Sequence, residues 1–328
     1  MKQKKPDIFL GITMVMLVLA AVLCVAILLA QKAGKKAPAD NTLASTQSAK
    51  DPKDTENNTN PSEPDNNKPN EGGDPVNSLP LTGDKIDAGK LQKDLDNKLN
   101  GLRSEWQVVV FDCANSDKVE SAWSIANANE LMKTASLIRL FVMADVYQQI
   151  KDGAIQEAEV SDDLTAMITK SDKAAGDRLV ETLGGGDAAK GREHVKAFAQ
   201  QKGFKIGFNR AFSATSGGYN YVSARSAATL LNKIVHGECV SPEYDQKMVD
   251  LLFAAEANEI DLGIDGEGVT KGFVCDVQEG FSIGAAGIVN NGSRTYVVCV
   301  ISNEIKSMDS GKKIIAEIFD KIEPYFAE

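Results

Sequence analysis

The hydrophobic and polar positions divide this chain into three unlike stretches. Residues Ile8 to Ala30 form one apolar run without a charge, long enough to span a hydrocarbon core of ~30 Å as a helix. Lys2, Lys4 and Lys5 precede it and favour a cytoplasmic N-terminus, while Lys32, Lys35 and Lys36 follow it and weaken that signal. A cleaved signal peptide is the rival reading, but its apolar core would run ~7–15 residues, and no small-residue cleavage pattern follows here. Leu23 before Cys24 also does not fit a lipidation signal. The pattern predicts a cytoplasmic tail over residues 1–7, an uncleaved transmembrane anchor over 8–30, and everything after it outside the cytoplasm, as a single-pass cell-membrane protein. From Ala37 to about Thr82 the chain is rich in Pro, Asp, Asn, Ser, Thr, Glu and Lys. It carries too little apolar surface to fold. Residues 31–84 therefore read as a disordered linker averaging roughly 35–40 Å end to end, and residues 85–328 as one folded domain.

Within that domain the periods alternate. Leu91, Leu95, Leu99 and Leu102 recur at helical spacing. Trp106 to Cys113 reads as a strand, turned at Asn115-Ser116-Asp117 into a second over Val119 to Ile125. Gly280 to Val289 and Thr295 to Ile301 flank Asn290-Asn291-Gly292, a strong hairpin turn. A last helix, about Gly311 to Tyr325, buries Ile314, Ile315, Ile318, Phe319 and Ile322. The middle, Asn129 to Phe253, is mostly helical. Strands at both ends with helices between predict an α+β fold whose antiparallel sheet joins the two chain ends.

Composition changes this picture little. The chain has 328 residues, 43% hydrophobic and 25% charged, with a formal net charge of −10. It has no basic cluster beyond the membrane flanks, which argues against nucleic acid as a partner. Its only two histidines, His194 and His236, argue against a His-rich metal site and leave little for a Ser-His-Asp triad. Each reads as a surface or capping residue. No metal or cofactor is expected. Of five cysteines, Cys24 lies in the apolar run. Cys113, Cys239, Cys275 and Cys299 show no C-x-x-C spacing and stand either as buried thiols or as two disulfides. Leu79-Pro-Leu-Thr-Gly83 matches the L-P-x-T-G pattern of sorting signals. Such signals sit near a C-terminus, and here a whole domain follows, so the match reads as coincidence.

The most informative segment runs from Glu130 to Ile150. After Ser136 nearly every face is apolar, which marks a buried helix. A serine at such a helix start can cap it. A nucleophile also belongs there, because free backbone N–H groups can stabilise an oxyanion. The segment resembles the S-x-x-K helix of class A β-lactamases and related penicillin-recognising serine hydrolases. Further matches follow in order. Ser171-Asp172-Lys173 resembles the S-D-N loop and is followed by Leu183-Gly-Gly185; Tyr219 to Ser226 resembles the segment after the Ω-loop. Val269-Thr-Lys271-Gly272 stands near the place of K-T-G, and Ala286-Gly-Ile-Val289 resembles the next strand. S-x-x-K also occurs by chance at Ser310 to Lys313, so order and spacing carry the resemblance, over about residues 86 to 328. It implies a β-lactamase/transpeptidase-like fold, Ser136 at the nucleophile position, and a β-lactam or cell-wall peptide-like ligand.

Every motif departs from the family pattern. Arg139 stands where the family has its helix lysine, and arginine does not act as a general base. It reads as a structural charge partner, perhaps to Asp172. Ser171 could still relay a proton, and Lys173, in place of asparagine, could replace the missing base if Arg139 lowered its pKa. Lys271 could attract a substrate carboxylate, but Gly272 follows directly with no hydroxyl between. Between Lys202 and Tyr219 there is no acidic residue to match the family's deacylating glutamate. Three readings follow: a live serine hydrolase impaired in β-lactam turnover, a slowly acylated penicillin-binding sensor, or an inactive module that binds cell-wall material or a protein.

Overall fold

The computed structural model describes residues 79–327, apart from 116, 124–126, 257–259, 265–267 and 279–281. All of these lie in one compact unit, Lys68–Glu328. The proposed anchor over 8–30 and most of the linker lie outside the described residues. Among the described residues no helix is long and apolar enough to cross a membrane.

Helix α1 (Ala88–Leu99) buries Leu91, Leu95 and Leu99 on one stripe, and Asp87 caps its first turn by accepting from Lys90 N at 2.9 Å. Strands β1 (Glu105–Asp112) and β2 (Asp117–Trp123) form a hairpin. The short strand β3 (Met132–Thr134) leads to α2 (Arg139–Lys151), and α3 (Glu157–Thr169), α4 (Lys173–Leu183) and α5 (Ala188–Gln201) follow. The short strands β4 (Ile206–Gly207) and β5 (Asn220–Val222) join β3 in a small sheet of order β3-β5-β4. Next come α6 (Ala224–Val235), α7 (Pro242–Phe253) and strands β6 (Thr270–Gln278), β7 (Ser282–Asn290) and β8 (Thr295–Asn303). Helix α8 (Met308–Ile322) closes the chain with a 3-10 turn at Glu323–Tyr325.

The main sheet has the order β2-β1-β8-β7-β6 and is antiparallel throughout. As the pattern predicts, β8 lies against β1 and ties the two chain ends together. Its strands are buried on both faces, so alternation sorts residues between two cores rather than between core and solvent. Val109, Phe111, Val274, Ala286, Val297 and Cys299 face α2 to α7. Val108, Val110, Phe273, Cys275, Val298 and Val300 face α1 and α8.

Two sequence expectations are corrected. The linker does not run free to residue 84: Leu79 and Leu81 pack against the apolar core, and Asn115 Nδ2 donates to the carbonyls of Gly83 at 3.1 Å and Asp84 at 3.2 Å. The four described cysteines form no disulfides and are buried thiols. Burial pushes the Cys113 and Cys299 thiols upward, and Cys239 to about 12.

Candidate functional site

Ser136 sits half-buried in the turn between β3 and α2. It does not cap the helix: Ile138 holds the cap position, with no side-chain hydrogen bond. The turn is instead fixed by Thr134, whose hydroxyl accepts from Leu137 N at 3.3 Å, and by Ser136 O, which accepts from Arg139 N at 2.9 Å.

Arg139 opens α2 and is buried at 2% exposure. Its Nη2 donates to Ser171 O at 2.9 Å, and its guanidinium lies over the Phe212 ring, 5.5 Å from the centroid. One cation therefore pins the Ser136 turn to the Ser171 loop. It works mainly through a carbonyl, where the sequence suggested Asp172. That carboxylate instead caps α4, accepting from Ala175 N at 2.9 Å. The N–H groups of Ala175 and Ala174, then Arg178 and Arg139, hold it below the usual carboxylate range.

Ser171 adopts a left-handed backbone at φ 55°, uncommon for a residue with a Cβ. The strain is sustained by the bonds on either side of it, Arg139 to its carbonyl and Asp172 N to Ala166 O at 3.1 Å. Lys173 is the exposed first residue of α4.

The third motif is placed elsewhere. Lys271 Nζ donates to Ile264 O at 2.7 Å, and Ile264 belongs to the core beneath α1 and α8. Alternation puts Lys271 on the sheet face of Phe273 and Cys275, opposite the Ser136 face. Gly272 does face the helices, but it packs under the end of α7: a Cβ there would lie 2.5 Å from the Leu252 carbonyl. The residue that β6 presents to Ser136 is Asp276, about 17 Å farther along the strand than Lys271 at the usual rise per residue.

Asp276 is wholly buried. Its Oδ2 accepts from Thr134 Oγ1 at 2.6 Å, Ala135 N at 2.9 Å and Ser282 Oγ at 3.0 Å, and its Oδ1 accepts from Ser136 N at 3.2 Å. Sequence reasoning missed it, although a lone carboxylate within Phe273-Val-Cys-Asp-Val277 was a signal. Such a group must find donors if the strand is buried.

The Ser171 loop and the acid-free stretch are joined by Asp177 of α4, which accepts from Phe212 N at 2.7 Å and Ser213 N at 3.1 Å. Asn220 fixes the other end, accepting from Asn209 N at 2.9 Å and Arg210 N at 3.0 Å. Among the described residues, no amine, imidazole or carboxylate is hydrogen-bonded to the Ser136 hydroxyl. Chemically, the arrangement offers a hydroxyl without a base, beside amides that already hold an anion.

Residues 154–326 match the model of the Beta-lactamase enzyme family, a span that begins after Ser136. Among solved structures, the chain is similar to the TLA-1 extended-spectrum β-lactamase at 16% identity and a TM-score of 0.64, over 74% of this chain and 99% of that one. It is similar to PBP-A, solved as an acyl-enzyme complex with penicillin G, at 18% identity and a TM-score of 0.63, over 73% and 97%. It is also similar to a β-lactamase from Sphaerobacter thermophilus at 15% identity and a TM-score of 0.58, over 72% and 95%. At these identities the likeness is one of fold. No curated protein matches the chain by sequence.

Proposed function

Because the chain belongs to the Beta-lactamase enzyme family, we propose that it is a membrane-anchored, extracytoplasmic member with Ser136 at the nucleophile position and no capacity for β-lactam turnover. Its role is then to bind a cell-wall peptide-like ligand or a protein partner. The observation that carries this reading is Arg139. A buried, permanently protonated guanidinium that donates to Ser171 O stands where the family's base would be, so acylation of Ser136 lacks its proton acceptor. The acid-free stretch before Tyr219 removes the base for deacylation as well. The anchor rests on the uncharged run from Ile8 to Ala30.

The test is intact mass of the detergent-solubilised full chain after long incubation with a reactive penicillin, beside Ser136→Ala. The expected result is no adduct on either protein. An adduct on the parent that vanishes in the variant would make Ser136 a live nucleophile and replace this reading with the slowly acylated sensor. Protease protection of residues 85–328 in intact cells, against digestion from outside, would overturn the topology.

A further inference from the structure

We infer that the turn at Ser136 is an anion hole which the protein fills with its own Asp276 carboxylate. The hole would bind a small exogenous carboxylate if Asp276 were removed. This deepens the proposed function and rests on it in one respect: it names what silences the Ser136 site besides the missing base.

Four donors converge on one carboxylate. Two are the successive backbone amides of Ala135 and Ser136, at 2.9 and 3.2 Å; two are the hydroxyls of Thr134 and Ser282, at 2.6 and 3.0 Å. Thr134 and Ser282 are fully buried, as is Asp276. No Lys or Arg bond to Asp276 is among these contacts, so the converging dipoles hold its charge. Successive amides at the approach to a helix form the kind of concavity that binds anions, and α2 begins three residues after Ser136. The resident carboxylate is the second observation, because an anion already occupies the concavity in the folded protein. Apolar residues surround it on the strand, with Val274 and Cys275 buried just before it. In that setting a carboxylate without these donors would be costly.

The consequence for chemistry follows from charge. Attack by a serine on an acyl carbon moves an electron pair onto the carbonyl oxygen, and an amide of the nucleophile's own turn is where that oxyanion is stabilised. Here the Ser136 amide points at Oδ1 of Asp276. An incoming oxyanion would meet a carboxylate rather than a free donor. Loss of one such donor alone slows acyl transfer by roughly 10²–10³-fold. Asp276 thus excludes ligands that must place negative charge at this amide, independently of whether a base is present.

Two measurements on the full chain in detergent test the inference. The first uses the wild-type protein and hydrogen exchange. The amides of Ala135 and Ser136 lie outside any strand or helix, yet with Asp276 as acceptor they exchange as slowly as those of β3. Exchange at the rate of solvated turn amides would overturn the proposal without any variant having to fold. The second follows thermal unfolding of Asp276→Ala during titration with sodium acetate, against sodium chloride at matched ionic strength. The expected result is a saturable, acetate-specific rise of roughly 3–6 °C when acetate is about tenfold above its dissociation constant. Wild type and Asp276→Asn, whose side chains keep the hole filled, show none. An equal rise in wild type, or none in a folded Asp276→Ala, would overturn the proposal. Penicillin labelling of wild-type Ser136 would sink the proposed function while these two readouts still report on the hole.

Discussion

Nδ1 of His194 lies 2.8 Å from a carboxylate oxygen of Asp145, a side chain with no solvent exposure. The pair bridges α5 to α2, the helix that follows Ser136, and borders a cavity of about 440 Å³ also lined by Gln149, Phe198 and Lys202. A half-exposed histidine on a polar helix would ordinarily tolerate replacement within about 0.5 kcal/mol. Here His194→Ala leaves a buried carboxylate oxygen without its partner, and the expected loss is about 1–3 kcal/mol. Urea unfolding with an unchanged slope checks it; a loss within error would mean the bond contributes nothing.

The same carboxylate sets a pH dependence. Burial raises the Asp145 pKa above its ordinary value, and His194 only partly offsets that. A carboxyl group with a raised folded pKa binds more protons in the native state than in the unfolded chain. Its contribution to stability is therefore complete below the ordinary carboxylate value, ~4, and is lost as pH rises through the higher folded value. Wild type should lose stability relative to Asp145→Asn as pH rises through that window, and the difference should level off above it. The measurement is the difference between two denaturation series, since Asp172 and Asp187, held low by cap N–H groups, titrate in the opposite sense. A difference independent of pH would show that Asp145 ionises as it does in the unfolded chain.

How far the sequence could be read follows from which signals are local. The strands Trp106 to Cys113 and Thr295 to Ile301, and the stripe Leu91, Leu95 and Leu99, are visible because one residue's neighbours in the chain set its period. The Ser136, Arg139 and Ser171 cluster is visible because the resemblance orders those segments, and the Arg139 to Ser171 O bond joins two of them. Lys271 misleads because side-chain direction reverses with every residue of a strand, so a motif matched by spacing alone can fall on the wrong face. Asp276 and the Asp145 to His194 pair were not legible. Each depends on partners brought in from distant elements, and pattern reading registers only that the residues are polar.

Restoring the family's lysine should not restore chemistry. Arg139→Lys supplies an amine that can lose its proton, but it leaves Asp276 on the Ser136 amide. Penicillin labelling of Arg139→Lys should match wild type, whereas Arg139→Lys with Asp276→Ala should label roughly tenfold faster or more than either single variant. Labelling by Arg139→Lys alone would mean the base was the sole defect.

A second buried ion pair closes the fold. Arg294, just before β8, pairs with Asp112 at the end of β1 at 3.0 Å, with side-chain exposures of 10% and 0%. It also donates to the carbonyl of Asp84 and lies over the Phe326 ring. Arg294→Met keeps volume but strands the Asp112 charge, with an expected loss of about 3–5 kcal/mol. Adding Asp112→Asn should return part of that loss, and failure to do so would assign the effect to packing.

Gly272 and Lys271 can be separated by stability. A Cβ at Gly272 would meet the Leu252 carbonyl carbon and oxygen at 2.5 Å and Phe253 N at 2.7 Å. These are backbone atoms that no rotamer change can move, so α7 would have to lift from β6. The expected loss for Gly272→Ala is about 1–3 kcal/mol, the usual range for overpacking. Lys271→Ala removes a bond to Ile264 O on the opposite face, worth about 0.5–1.5 kcal/mol. Thermal unfolding should therefore rank Gly272→Ala as the more damaging variant. If Gly272 instead lined a ligand site, alanine there would leave the melting point near wild type and change only the response to ligand. The two outcomes decide whether glycine is required by the helix above the strand or by a substrate beside it.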